Sequence, residues 1–208
     1  MENFLSTLLL SFVALFPLVN PVGAIPVFCS LTANSSIGDR KKTAFKTAIN
    51  VLIILLVFYL IGEFILEFFG ISLGVLKIAG GLVVAHTAWD MVASKEKFST
   101  EEHTEMQSKQ DISFTPMALP LLSGPGAIGV AIGLSIPSYE ISYTSGIAAG
   151  ILLTSVSVYV ALLLAIPLLK ILGKTGVGVL NKIMGFFILA IAVQLIVNGV
   201  LMIINKTL

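Results

Sequence analysis

The sequence predicts an all-α integral membrane protein of six transmembrane helices, built as two inverted-topology three-helix repeats whose first and fourth helices break near the bilayer midplane. Three observations predict it. Of the 208 residues, 57% are hydrophobic and 11% charged, with a mean hydropathy of +1.04; a soluble domain carries roughly 25% charge. Six apolar runs reach about 18 residues or more, the length that crosses a hydrocarbon core of roughly 30 Å. Two segments bearing proline and glycine, one in each half, match each other without a gap.

The six runs cover residues 4–31, 43–66, 72–93, 113–135, 142–169 and 180–204. The first is expected to stay as a mature helix rather than a cleaved signal, because Glu2 and no Lys or Arg precedes it and the apolar stretch is too long. None of the runs alternates apolar and polar residues, which excludes a closed barrel. The lone cysteine, Cys29, can form no intrachain disulfide and no thiolate metal cluster. A net charge of +1 gives no reason to expect a nucleic-acid partner; the bilayer is the first partner implied.

Orientation follows from where the basic residues fall. Arg40, Lys41, Lys42, Lys46, Lys95, Lys97, Lys109, Lys170, Lys174 and Lys182 lie in or beside the first, third and fifth connections, which is ten of the twelve. Those connections are therefore expected in the cytoplasm and both termini outside it. Residues 1–93 form the first repeat, 94–112 a cytoplasmic linker and 113–208 the second repeat. Glu63 and Glu67 fall where the second helix meets the interface, and Lys77 and Lys182 are expected to snorkel.

The division into repeats rests on two matches. Pro17-Leu-Val-Asn-Pro-Val-Gly-Ala-Ile-Pro-Val27 aligns with Pro120-Leu-Leu-Ser-Gly-Pro-Gly-Ala-Ile-Gly-Val130, with six of eleven positions identical. Lys77-Ile-Ala-Gly-Gly-Leu-Val-Val-Ala85 aligns with Lys182-Ile-Met-Gly-Phe-Phe-Ile-Leu-Ala190 at nearly the same offset. Each copy holds three helices, so the second enters the membrane from the opposite side.

The matched proline segments are also where helices should fail. Each proline lacks an N–H and frees the carbonyl four residues earlier, and a free backbone group in lipid costs several kcal/mol unless it faces protein or a wet cavity. Asn20, Pro21, Gly23 and Ala24, with Ser123, Gly124, Pro125, Gly126 and Ala127, are thus the expected substrate-binding residues. Half-helices starting after Pro21 and Pro125 would aim N–H groups and positive dipole ends at a carboxylate. The Asn20 and Ser123 side chains, with unwound carbonyls, would hold an ammonium or a cation. No acidic or basic residue is expected at this depth, which favours a small, net-neutral zwitterionic solute.

His86 and Asp90 lie one turn apart on the third helix and form the candidate coupling pair for H+, Na+ being the other coupling ion to consider. Asn50, Gln194 and Asn198 are expected to make hydrogen bonds between helices. The spacings Gly70 to Gly74, Gly129 to Gly133 and Gly146 to Gly150 permit close helix contact, within a chain or in a homo-oligomer. Gly70-Ile-Ser-Leu-Gly74 matches the hydrolase nucleophile pattern but falls in an interhelical turn instead of a strand-to-helix elbow. With no zinc-protease motif or P-loop either, the sequence predicts no enzyme, no metal and no resident cofactor.

Taken together, Asn20-Pro-Val-Gly-Ala-Ile-Pro-Val-Phe28, Phe69-Gly-Ile-Ser72 with Lys77-Ile-Ala-Gly-Gly81, Leu119-Pro-Leu-Leu-Ser-Gly-Pro-Gly-Ala127 and Lys182-Ile-Met-Gly185 resemble the MarC family. That family usually has Arg where Lys77 and Lys182 stand; lysine keeps the charge and loses the bidentate fork. The resemblance implies a multi-pass protein of the bacterial or archaeal inner membrane and kinship with the LysE-like transporter superfamily. It also implies kinship with an archaeal carrier of glycine and alanine. The expected function is accordingly alternating-access transport of a small neutral amino acid, with a passive pore or a non-transporting scaffold as the other readings.

Overall fold

The computed structural model describes residues 4–93, 111–135 and 141–207. The expected linker, with Lys95, Lys97 and Lys109, lies almost wholly outside the described residues. Among those described there are helices and turns and no strands. Eight helical segments follow in order: α1 (Phe4–Val19), α2 (Ile25–Leu31), α3 (Ile37–Phe69), α4 (Leu73–Val92), α5 (Ser113–Leu122), α6 (Pro125–Leu134), α7 (Ile141–Leu163) and α8 (Ala165–Thr207). Inside α8 the backbone breaks at Gly173 (φ 65°), and Thr175–Asn205 is the span beyond it.

Among the described residues four helices are long and apolar enough to cross a membrane, and the bent pair α5–α6 makes a fifth when counted as one span; α1, at 16 residues, falls short of the predicted first span. Side chains such as Leu60, Phe64, Phe68 and Phe186 are exposed along them, and Leu5, Leu10 and Val13 along α1, far more apolar surface than a soluble monomer presents. This is a multi-pass membrane protein.

Helix ends follow local chemistry that hydropathy alone does not register. α3 begins six residues before the predicted apolar run, because Ser36 caps it: the Ser36 hydroxyl oxygen accepts from Asp39 N–H at 3.1 Å and the Ser36 hydroxyl donates to Asp39 Oδ2 at 2.7 Å. It ends at Gly70 in the left-handed region (φ 64°), where Ile71 N–H donates back to Leu66 O at 2.9 Å. Arg40 ties the end of α2 to α3, its guanidinium donating to the Thr32 and Ala33 carbonyls, each at 2.8 Å. The fifth predicted run, 142–169, is instead interrupted near Leu164, and helix continues to the Gly173 break.

α5 is the least regular element. Thr115 (φ −118°, ψ 122°) and Leu119 (φ −127°, ψ 126°) are extended, as residues preceding proline prefer; the peptide bonds to Pro116 and Pro120 are cis. Its hydrogen bonds span five residues, from Met117 N–H to Ile112 O at 3.2 Å and from Ser123 N–H to Ala118 O at 2.7 Å. α6 then leaves at 71° to α5.

α4 lies along α8, α1 along α7, and α3 beside α5, α6 and α7. The main core, with Leu15, Val51, Leu55, Met117, Leu122, Ile147 and Ile151 fully buried, joins α1, α3, α5 and α7. A smaller core of Val84, Ala88, Met91, Ile188 and Ala192 joins α4 to α8. Small residues bring backbones close: a Cβ on Gly81 would stand 2.9 Å from Ala192 O, and one on Gly150 2.8 Å from Leu8 O. Gly146 and Gly150 therefore serve the α1–α7 contact within one chain.

Candidate functional site

The first expected helix is two helices separated by residues 20–24, and the fourth is two separated at Ser123 and Gly124. Both interruptions fall inside the two matching sequence segments. At the first, Asn20 is the one non-glycine residue with positive φ among those described (φ 47°), and its Oδ1 accepts from Gly23 N–H at 3.0 Å. α2 starts at Ile25, not directly after Pro21, since the Asn20 side chain holds residues 20–23 as a turn. Gly23 N–H is thereby already engaged and is not the free donor the sequence led us to expect. At the second interruption α6 does start at Pro125, with Gly124 as its cap and no side chain closing the first turn.

A cavity of about 310 Å³ lies where these breaks approach α4, at the low end of the ~300–1,000 Å³ typical of small-molecule sites. It is lined by Asn20 from the first break, by Gly124, Pro125, Gly126 and Ala127 from the second, and by Val84, Thr87, Asp90 and Met91 of α4. Pro21, Gly23, Ala24 and Ser123 are buried nearby and do not line it. The Ser123 hydroxyl is fully buried and has no hydrogen-bond partner among the described residues.

Asn20 Nδ2 lies 3.6 Å from Met91 Sδ, so the first break is level with the last turns of α4, and Asp90 lines the cavity at the breaks. The expectation that no acidic group stands level with the breaks is thereby overturned, because counting from helix ends treats every span as straight and equally deep. His86 Nδ1 is 3.6 Å from Asp90 Oδ2, yet the His86 side chain is 81% exposed and does not line the cavity, while that of Asp90 is 29% exposed.

The cavity thus combines one carboxylate, one carboxamide, the Thr87 hydroxyl and the uncapped start of a ten-residue helix in a wall otherwise mostly apolar. The helix start offers N–H donors and a positive dipole end to an anion, and the carboxylate offers acceptors to a cation. At Gly126 the wall is closed tightly: a Cβ there would overlap Val84 Cγ2.

A second polar cluster joins α3 to the start of α5, and sequence reasoning missed it because its partners are far apart in the chain. Lys46 Nζ donates to Asp111 Oδ2 at 2.5 Å, while Asp111 Oδ1 accepts from Ser113 N–H (3.0 Å) and Ser113 Oγ (2.6 Å). Those bonds from Lys46 and Ser113 hold the Asp111 carboxyl down at about 2, against an ordinary 3.8. Asn50 Nδ2 lies 3.4 Å from Ser113 Oγ, the interhelical bond expected of it; Gln194 instead donates to Asn198 within α8 at 2.9 Å.

The description "MarC family integral membrane protein" matches residues 5–204. The chain is 37% identical to the UPF0056 membrane protein YhcE of Escherichia coli K12, over 91% of this chain and 89% of that one. It is 39% identical to a UPF0056 membrane protein of Methanocaldococcus jannaschii, over 92% and 95%, and 31% identical to the UPF0056 inner membrane protein MarC of Citrobacter koseri, over 94% and 95%. No solved structure matches. Relatives in bacteria and an archaeon, aligned nearly end to end, and the apolar spans agree on one assignment: this chain belongs to the MarC family of integral membrane proteins.

Proposed function

We propose that the protein is an inner-membrane carrier of a small neutral amino acid such as glycine or alanine, working by alternating access around the cavity at the two helix breaks. The observation that carries this reading is the sharing of one cavity by the Asp90 carboxylate and the open N-terminus of α6. A zwitterion needs both, an acceptor for its ammonium and a donor cluster for its carboxylate. Asn20 adds an amide, and the apolar remainder suits a short side chain.

The six-helix, two-repeat architecture belongs to the same proposal: α1–α2, α3 and α4 make one repeat, and α5–α6, α7 and α8 the other. Its support is the matched breaks and a pairing pattern that survives exchange of the halves. α1 lies on α7 as α5 lies on α3, α2 meets α8 as α6 meets α4, and α4 and α8 lie on each other. Both termini then lie outside the cytoplasm, and His86 beside Asp90 offers a route for coupling to protons, with Na+ the other coupling ion to test.

Counterflow tests carrier against pore. Proteoliposomes preloaded with unlabelled alanine should transiently accumulate labelled alanine above equilibrium, and imposed H+ or Na+ gradients should reveal the coupling ion. Flux that rises linearly with concentration, with no counterflow, would replace the carrier by a pore.

A further inference from the structure

A second cavity, of about 190 Å³, lies on the far side of Gly126 from the first and meets it only at that residue. We propose that it is a separate binding site for the carboxylate of a small solute, with the Lys77 ammonium as its counter-charge. Lys77 is the one charged residue lining it, and no ion-pair or hydrogen-bond partner holds the ammonium among the described residues. The Lys77 stem leans toward α6: its Cε stands 4.0 Å from where a Cβ on Gly133 would be. The side chain is half-buried.

The glycines of the two cavities do different things. At Gly126 a Cβ would overlap Val84 Cγ2 and reach Leu18, so this glycine allows α6 to close against α4 and α1. At Gly80 and Gly129, which line the second cavity, a Cβ would meet nothing within 4 Å. Packing does not demand glycine there; its effect is to leave space beside the ammonium. Val130, Leu134, Ile191 and Leu195 supply an apolar wall, in which an unpaired cation is costly and an anionic partner is correspondingly favoured.

Asp90 and Lys77 are about 20 Å apart along α4 at 1.5 Å per residue, too far to hold one small amino acid at once. The cavities are therefore two stations, one with an acidic group and one with a basic group, separated by the Gly126–Val84–Leu18 closure. This station deepens the carrier reading and rests on it for the class of solute, but the charge selectivity can be tested alone. Propionate carries a carboxylate and no ammonium, so it is disfavoured beside Asp90 and suited to Lys77.

The experiment is equilibrium binding of radiolabelled propionate to the full-length protein in nanodiscs. Saturable binding is expected, weakened about tenfold or more by Lys77→Gln, lost in Gly129→Leu, and retained in Lys77→Arg and Asp90→Asn. Because a leucine at 129 enters open space, it tests the cavity independently should Lys77→Gln fail to fold. Absence of saturable binding to folded wild type, or binding that survives either Lys77→Gln or Gly129→Leu, overturns the proposal. Alanine uptake measured alongside separates the two claims: propionate binding without alanine uptake would reject the carrier and leave the Lys77 site standing.

Discussion

Asp90 changes the chemistry of the first cavity more than any other single residue, since without it the lining offers only neutral polar groups and a helix terminus. Gly126 has the opposite importance, through what it lacks. Gly126→Ala would drive a methyl group into Val84, whose β-branched side chain has little rotamer freedom. Overpacking of this kind should cost about 1–3 kcal/mol, seen as a lower unfolding temperature in detergent; an unchanged temperature would contradict the close α4–α6 contact. Asp111 makes a pH-dependent contribution. Its folded pKa of about 2 lies below the ordinary 3.8, so its bonds to Lys46 and Ser113 stabilise the protein above about pH 4 and are lost as pH falls toward 2. Asp111→Asn should lower stability near neutral pH by no more than about 1 kcal/mol, because the pair is half exposed and salt-screened. The difference from wild type should shrink as pH falls through about 2 and vanish below it, and a gap that persists well below about pH 2 would assign the effect to packing instead.

At the scale of elements, the sequence was most readable where residues act locally. Proline and glycine marked both breaks within the right residues, since a missing N–H acts on the carbonyl four residues back wherever it occurs. Apolar length located four of the six predicted spans, or five with the bent pair, and misplaced their ends, because caps such as Ser36 and Gly70 lie in polar turns that hydropathy does not weigh. The extended residues of α5 follow from Pro116 and Pro120, though the resulting five-residue hydrogen-bond spacing and 71° bend depend on how α3 and α4 receive the chain. The position of Asp90 beside Asn20 was hidden for the same reason: relative depth is a tertiary property, set by which turns of α4 the first break meets. The caps can be tested directly. Gly70→Ala must hold a left-handed φ with a Cβ and Ser36→Ala loses the bond from Asp39 N–H; each should cost about 1 kcal/mol in thermal unfolding. A neutral result for both would mean that the α3 ends fray freely in solution.

For the whole molecule, the exposed apolar side chains face lipid while small residues bring α1 to α7 and α4 to α8. That arrangement leaves the interrupted segments, whose backbone groups are least welcome in hydrocarbon, around a cavity inside the protein. In the proposed carrier, movement of one three-helix half against the other would open this cavity first to one side and then to the other, with the close approach of Gly126 to Val84 and Leu18 lying between the two proposed stations. The claim on which the rest depends is that the cavity carries a small zwitterion through its Asp90 and Asn20 groups. The most direct measurement is initial-rate uptake of radiolabelled alanine into proteoliposomes holding equal amounts of folded wild type, Asp90→Asn and Asn20→Ala. Saturable uptake by wild type is expected, reduced about tenfold or more by Asp90→Asn and weakened by Asn20→Ala; uptake unaffected by either substitution, or absent from folded wild type, would rule out a zwitterion carried at these groups.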